Sequence, residues 1–374
     1  MSSDRSMSVP FVALDLQQRA LKPELLDAIG RVIDSGQYIL GGEVERFERA
    51  FAALAQTDFA VGVSNGTCAL ILALRALGIG PGDEVITAPN SFLASASAIA
   101  LAGARPVFAD VREDLNIDPD AVEAAISPRT RAIMPVHLTG RPAAMDRLGA
   151  IAERHGLAVV EDAAQAVGAR LHGRGVGSFG AIGCFSLHPL KNLGALGDAG
   201  VMTTRDAALA RRLLIDRNHG LRDRDAVDAW SYNARLDAIQ AAILNVKLPH
   251  LEGWTRGKRR LARRYCEELR DVVRVPEDAP GEDCVWATFV IRAERRDDLQ
   301  RHLASRGIQA FVHYPTPIHL QEAAHDLGYR KGDFPIAERL ANEILSLPIY
   351  PGLTESQQEA VIMTIRSFYA GSAA

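Results

Sequence analysis

Seven short β-branched runs alternate with Ala- and Leu-rich stretches of helical period through the first two thirds of the chain, and few folds accommodate that pattern. The runs are FAVGV (59–63), EVIT (84–87), PVFA (106–109), AIMPV (132–136), AVV (158–160), AIGCFSL (181–187) and AGVMT (199–203). Helical patterns cover 67–77, 91–102, 119–126 and 145–155, closed by Gly78, Gly103 and, for the last, Gly156. Strands joined through helices make crossover units, so the expectation is an α/β protein with a mostly parallel seven-stranded sheet flanked by helices. From Arg235 the texture changes to one long helical run, with a basic cluster over 258–264 expected to be a solvated helix face. A strand, VWATFVI (285–291), and further helices follow, which predicts a smaller C-terminal α+β domain. The expected division is a flexible tail over 1–8, a large domain over 9–250 and a small one over 251–374.

Composition narrows the function classes. The chain has 374 residues, 48% hydrophobic and 24% charged, which excludes a disordered or collagen-like polymer. Its formal net charge of −4 gives no electrostatic reason to expect nucleic acid or an anionic membrane as partner. Any bound phosphate must therefore be met by local geometry. Cys68, Cys184, Cys266 and Cys284 lie far apart without paired spacing, so neither a disulfide framework nor a thiolate metal site is expected. The polar N-terminus has no secretion-signal core, and the most apolar stretch, 86–104, is interrupted by Pro89, Asn90 and serines. These features predict a cytoplasmic protein.

Ligands of parallel α/β sheets sit beyond the carboxyl ends of the strands, so the residues that follow each run are the informative ones. After FAVGV comes Ser64-Asn65-Gly66-Thr67 and then a helix, a place where free N–H groups and the helix dipole favour a phosphate, although an ordinary helix cap reads the same way. After AVV comes Glu161-Asp162-Ala163-Ala164-Gln165. A strand-end acid needs a partner, either a protonated ring nitrogen or the start of the next helix. After AIGCFSL comes His188-Pro189-Leu190-Lys191-Asn192 and the glycine-bearing 194–200 loop. A lysine confined there can become an amine nucleophile, and its alternative is a solvated loop lysine. The segment 175–180, GVGSFG, matches the dinucleotide fingerprint by letters only, since a strand follows it where a helix is required. His313, His319 and His325 are spaced by six and interrupted by prolines, so no metal is predicted. Together a phosphate-type turn, a strand-end acid and a loop amine match the needs of pyridoxal phosphate: an anchor, a proton for the ring nitrogen, and a Schiff-base partner.

Six blocks in consistent order then resemble the DegT/DnrJ/EryC1/StrS family of sugar aminotransferases: SNGTCAL (64–70), PNSFLASASAI (89–99), VVEDAAQAVGA (159–169), GCFSLHPLKNLGALGDAGVM (183–202), SYNARLDAIQAA (231–242) and LSLPIYPGLT (345–354). The resemblance implies the aspartate-aminotransferase type I fold, pyridoxal phosphate, and a homodimer with shared active sites. By motif, Lys191 resembles the Schiff-base lysine and Asp162 the partner of the ring nitrogen. Gln165 would contact the ring hydroxyl, Phe92 would lie against the ring, and Ser186 with Gly66 and Thr67 would hold the phosphate. Asn233 would reach the phosphate from the other subunit, in a block where Ser231 replaces the usual glycine; Leu187 stands where the family often has phenylalanine.

On the substrate side the resemblance makes His188, His313, Tyr314 and His319 candidates, each with a packed or surface histidine or tyrosine as its alternative, and His137 carries the same two readings. The implied reaction moves an amino group from an amino acid, glutamate by analogy, to a keto sugar linked to a nucleoside diphosphate, at C3 by the look of 191–200. Members that remove a hydroxyl carry histidine at the lysine position, and Lys191 argues against that branch. A 4-keto sugar or a cyclitol ketone is the enzymatic alternative, and a non-catalytic cofactor-binding regulator the alternative of another class.

Overall fold

The computed structural model of the chain describes residues 8–277 and 279–371. Apart from Ser8, the expected 1–8 tail lies outside the described residues. Two helices precede the first strand, α1 (Leu14–Ser35) and α2 (Gly42–Ala55). Helix α1 buries Leu21, Leu25, Ala28 and Val32, a 4–3–4 spacing that puts one apolar stripe on the core, and it ends at Gly36 in the left-handed region.

The α/β body follows as β1 (Phe59–Val63), α3 (Gly66–Ala76), β2 (Glu84–Thr87), α4 (Ala94–Leu101), β3 (Arg105–Phe108), α5 (Pro119–Ala124), β4 (Thr130–Met134), α6 (Met145–His155), β5 (Ala158–Asp162), β6 (Arg170–Leu171), β7 (Arg174–Gly175), β8 (Ile182–Ser186) and β9 (Gly200–Thr204). Seven of these strands form one sheet in the order β1-β9-β8-β5-β4-β2-β3. Strands β3, β2, β4, β5 and β8 run parallel, and β9 runs antiparallel to both of its neighbours. All seven runs read from the sequence are in it, β1 and β2 with the same ends and the other five with ends shifted by one or two residues.

Successive residues of each strand feed different cores, because side chains alternate across a pleated sheet. Val85, Val160, Cys184 and Met202 pack with Leu70, Leu74 and Ile99 of α3 and α4. Ile86 and Val159 pack with Leu148 and Ile151 of α6, while Phe185 and Val201 meet Phe47 and Phe51 of α2. With apolar cover on both faces, the strands read as continuous buried runs.

The chain continues through α7 (Ala207–Asp216), α8 (Ala238–Lys247), α9 (Leu251–Leu269), β10 (Glu282–Asp283), β11 (Phe289–Arg292), α10 (Arg296–Ser305), α11 (Pro335–Glu343), β12 (Ile344–Leu347) and α12 (Glu355–Ala370). The long run from Arg235 is two helices and not one: Pro249 sits in a 3-10 turn, Leu248–His250, between α8 and α9. The strand expected over 285–291 is only Phe289–Arg292. Its first half is diverted, since Val285 and Thr288 donate to the carbonyls of Gly140 and Thr139 and Trp286 has φ 50°. Strands β11 and β12 pair antiparallel and share a further core with Tyr265, Leu303 and Ile362. Val9 joins that core, bracketed by hydrogen bonds with Gly307 and Gln309. Among the described residues no helix is long and apolar enough to cross a membrane.

Candidate active site

The carboxyl ends of β1, β5 and β8 open into one cavity of about 460 Å³, closed by residues 11–14, the start of α9, and segments 287–288, 313–314 and 349–351. Lys191, Asp162, Gly66, Thr67, Phe92, Gln165, Ser186, His188, His313 and Tyr314 all line it. Ten of the twelve expected site residues, drawn from distant stretches of sequence, thus share one space.

Strand β5 ends in two acids that face opposite sides of the sheet. Asp162 follows the parity of Val160 and turns toward α4, where Ser95 Oγ donates to its Oδ2 at 2.7 Å; the Ala164 N–H donates to Oδ1 at 3.1 Å. Burial pushes the Asp162 carboxyl above the usual aspartate range, against the pull of Ser95, the Ala164 N–H, Lys191 and His137. Glu161 turns the other way into a backbone nest. The N–H groups of Gly177, Phe179 and Gly180 each donate to it at 2.7 Å, and His137 lies at 3.1 Å. His137 Nδ1 accepts the Ala143 N–H, which leaves Nε2 to donate to Glu161. The GVGSFG segment therefore serves as a clamp on a buried carboxylate, with no helix after it.

Lys191 follows β8 in a turn closed by its own N–H on the His188 carbonyl at 2.8 Å. Burial pushes its amine below the ordinary lysine range, and the Asp162 carboxylate offsets part of that. Burial, and then Lys191, push His313 below the usual histidine range, with Nδ1 at 2.9 Å from Ser346 Oγ. Tyr314 is pushed up to about 12, mainly by burial and then by Asp162, and it bonds to the Gln165 side chain. Gln165 Oε1 also accepts the Thr139 N–H at 2.7 Å. The rings of Phe92 and Tyr314 stand 5.7 Å apart, and Phe92 is half exposed.

At the head of α3, Asn65 Oδ1 caps the Cys68 N–H at 2.8 Å, which leaves the N–H groups of Gly66 and Thr67 at the cavity wall. A Cβ on Gly66 would come within 2.8 Å of Ser186 Cβ, and one on Gly200 within 2.5 Å of the Asn65 backbone. Glycine is thus required where the helix start and the end of β8 close on each other.

The DegT/DnrJ/EryC1/StrS aminotransferase family model matches residues 19–366. The chain belongs to this family. It is 48% identical over 364 residues to the erythromycin biosynthesis sensory transduction protein EryC1 of Saccharopolyspora erythraea, covering 96% of this chain and 100% of that one. It is 47% identical over 363 residues to the dTDP-3-amino-3,4,6-trideoxy-alpha-D-glucose transaminase of Streptomyces venezuelae, covering 96% of each. Among solved structures, S. venezuelae DesV in complex with a ketimine intermediate superposes with a TM-score of 0.95 at 47% identity, covering 96% of this chain and 98% of that one.

The family is pyridoxal phosphate-dependent, and the cavity fits that group on its own chemistry. The helix head offers free N–H groups beside a glycine pressed on Ser186, a cradle for a phosphate. Asp162 is a buried acid with only a hydroxyl and an amide as hydrogen-bond donors, suited to a protonated ring nitrogen. Lys191 supplies the amine.

Two expected residues lie elsewhere. Asn233 is on the surface of its own chain, its backbone bridged to Asn218, beside Tyr232 and the 90% exposed Trp230. His319 is not among the residues lining the cavity: it is buried 3.1 Å from Glu338 and edge-on to Phe334 at 4.7 Å, a packed placement. The basic cluster also needs correction at one position. Lys258 is buried, with Nζ donating to Asn192 Oδ1 at 2.8 Å and to the Trp286 carbonyl at 3.2 Å. It falls on the buried stripe Leu251, Thr255, Lys258, Ala262, Tyr265, Leu269, whose 4–3–4–3–4 spacing was readable in the sequence. Ser95 was equally visible, inside the 89–99 block.

Proposed function

We propose that this family member is a cytoplasmic aminotransferase that takes an amino group from glutamate and delivers it to C3 of a keto sugar linked to a nucleoside diphosphate. The observation that carries the reading is the joint placement of Lys191 and Asp162 on one cavity whose other end is a phosphate-type helix head. The S. venezuelae relative, named as a dTDP-3-amino sugar transaminase, supports C3 over C4. The four cysteines, without paired spacing, fit a reducing compartment.

Pyridoxal phosphate, when bound, supplies an aldehyde that carries the amino group and a ring that withdraws electrons. The chain's residues supply the rest. Asp162 keeps a carboxylate at the floor of the cavity to hold a proton on the ring nitrogen, and Ser95 fixes its orientation. Lys191 Nζ, its basicity lowered by burial, has a larger neutral fraction than an exposed lysine and so can take up and return a proton at one face. Phe92 and Tyr314 wall the ring site, and the mostly apolar lining limits water. His188 and His313 stand where they can meet the sugar. Asn233, outside the lining of its own cavity, reaches the cavity of a second subunit in a homodimer.

The test is a two-stage conversion followed by visible absorbance. Glutamate should shift the bound cofactor to its amine form, and a member of a panel of nucleotide-linked 3-keto sugars should shift it back. Cofactor binding with no response to any amino acid would refute the enzymatic reading and favour a regulator. Mixing Lys191→Ala with Asn233→Ala subunits should restore activity through hybrid dimers, and no recovery would overturn the shared site.

A further inference from the structure

A second amine enters the cavity besides Lys191. Lys258 projects from α9 and is 7% exposed, yet it lines the cavity beside Trp254 and Thr255 of the same helix. Both of its recorded partners, the Asn192 side-chain carbonyl and the Trp286 backbone carbonyl, are neutral. Among the described residues no carboxylate lies within ion-pair distance of it. An ammonium carries three donors, so one N–H remains after those two bonds. Buried charges are normally paired, because desolvating a lone ion is expensive. The cost shows in the amine itself, which burial lowers to about 8.

A buried cation at a cavity wall with neutral neighbours and an unused donor is a seat for an anion. Its position decides which one. Asn192, bonded to Lys258, is the chain neighbour of Lys191, and all three residues line the same space. The cofactor phosphate has its cradle at Gly66, Thr67 and Ser186. A diphosphate on the sugar is separated from a C3 ketone by two ring bonds, whereas the α-carboxylate of an amino acid is attached to the very carbon that bears the amino group. We infer that Lys258 binds the α-carboxylate of the amino donor, anchoring the reacting carbon beside Lys191. This rests on the aminotransferase reading above and adds the residue that recognises the donor. It also explains why a lysine occupies the buried stripe of α9, where an apolar side chain would pack at lower cost.

The experiment uses two oxo acids that differ by that one group. 2-Oxoglutarate carries the α-carboxylate, and 4-oxobutanoate retains the distal carboxylate alone. Each is titrated into the cofactor-free protein, with the fluorescence of Trp254, one turn from Lys258, as readout. Lys258→Met should weaken 2-oxoglutarate binding on the order of 10- to 100-fold, the loss expected for a hydrogen bond to a charged group, and leave 4-oxobutanoate unchanged. Lys258→Gln, which keeps a donor for the Trp286 carbonyl, should show the same loss and guards against misfolding of the first variant. In the cofactor-loaded enzyme the KM for the keto sugar should stay at the wild-type value while that for glutamate rises. Equal weakening of both oxo acids, or an unchanged 2-oxoglutarate affinity, overturns the assignment. Failure of glutamate to convert the loaded wild-type enzyme would instead strike the aminotransferase reading, and the oxo-acid titration would still report on Lys258.

Discussion

The shortest bond of the Ser95 hydroxyl is the one it donates to Asp162, ahead of the bond it accepts from Ser91 Oγ at 3.2 Å, and its removal gives a sharp test of how the site works. Ser95 is 1% exposed and Asp162 4%, so their 2.7 Å bond is not diluted by solvent. In Ser95→Ala the Asp162 carboxylate keeps only the longer bond from the Ala164 N–H. A dry hydrogen bond to a charged group contributes about 2–3 kcal/mol, the upper part of the usual range. Since Ser95 lowers the Asp162 pKa, its loss raises further a pKa that burial has already raised. The sign follows directly. A folded-state pKa above the unfolded value leaves stability intact at low pH and removes it as pH rises through the folded pKa. The cofactor-free variant should therefore unfold at lower urea than the wild type at pH 8, with the gap closing toward pH 4. In the loaded protein, a carboxyl that prefers its proton holds the ring nitrogen's proton less well, so cofactor affinity should fall, by at most the about 30- to 150-fold that the whole bond is worth. Urea titrations at the two pH values and a cofactor titration by visible absorbance measure both effects. A stability loss independent of pH, with unchanged cofactor affinity, would mean that Ser95 is a packing residue and that Asp162 is tuned by something else.

Glu161→Ala would leave three N–H groups, that of Gly177 buried and those of Phe179 and Gly180 partly so, and the buried His137 Nε2 without an acceptor, so a loss of about 3 kcal/mol is expected by urea unfolding, far above a surface substitution. Because Glu161 faces away from the cavity, the folded fraction of that variant should keep a near-wild-type KM for glutamate. His319→Phe should lower thermal stability through the lost Glu338 contact while leaving keto-sugar KM and kcat unchanged; a specific rise in KM would return this histidine to the substrate side.

The sheet and most of the site were legible because both depend on local, repeating signals. Seven β-branched runs fixed the strands, and residues just past their ends contain Gly66, Asp162, Ser186 and Lys191. What was hidden depends on pairing across distance. His319 and His313 look equivalent along the chain, yet one is held by Glu338 on α11 and the other by Ser346 on β12. Only tertiary packing separates them. Helix α1 was missed for a different reason: Pro23 lies within it, and its apolar stripe of Leu21, Leu25, Ala28 and Val32 is set among polar residues.

The adjacent acids of β5 show how one sequence feature divides into two jobs. In sequence, Glu161 and Asp162 are a single acidic pair beyond a buried strand, and GVGSFG is a nucleotide motif with the wrong flanks. Strand parity separates the acids by face. On one face a clamp of three backbone amides and the His137 ring satisfies Glu161 and ties the 177–180 loop to β5. On the other, Asp162 receives two donors, and its raised pKa reflects a burial that those donors do not offset. Of the two acids, the one with fewer donors is the one at the cavity, where a ligand can complete it.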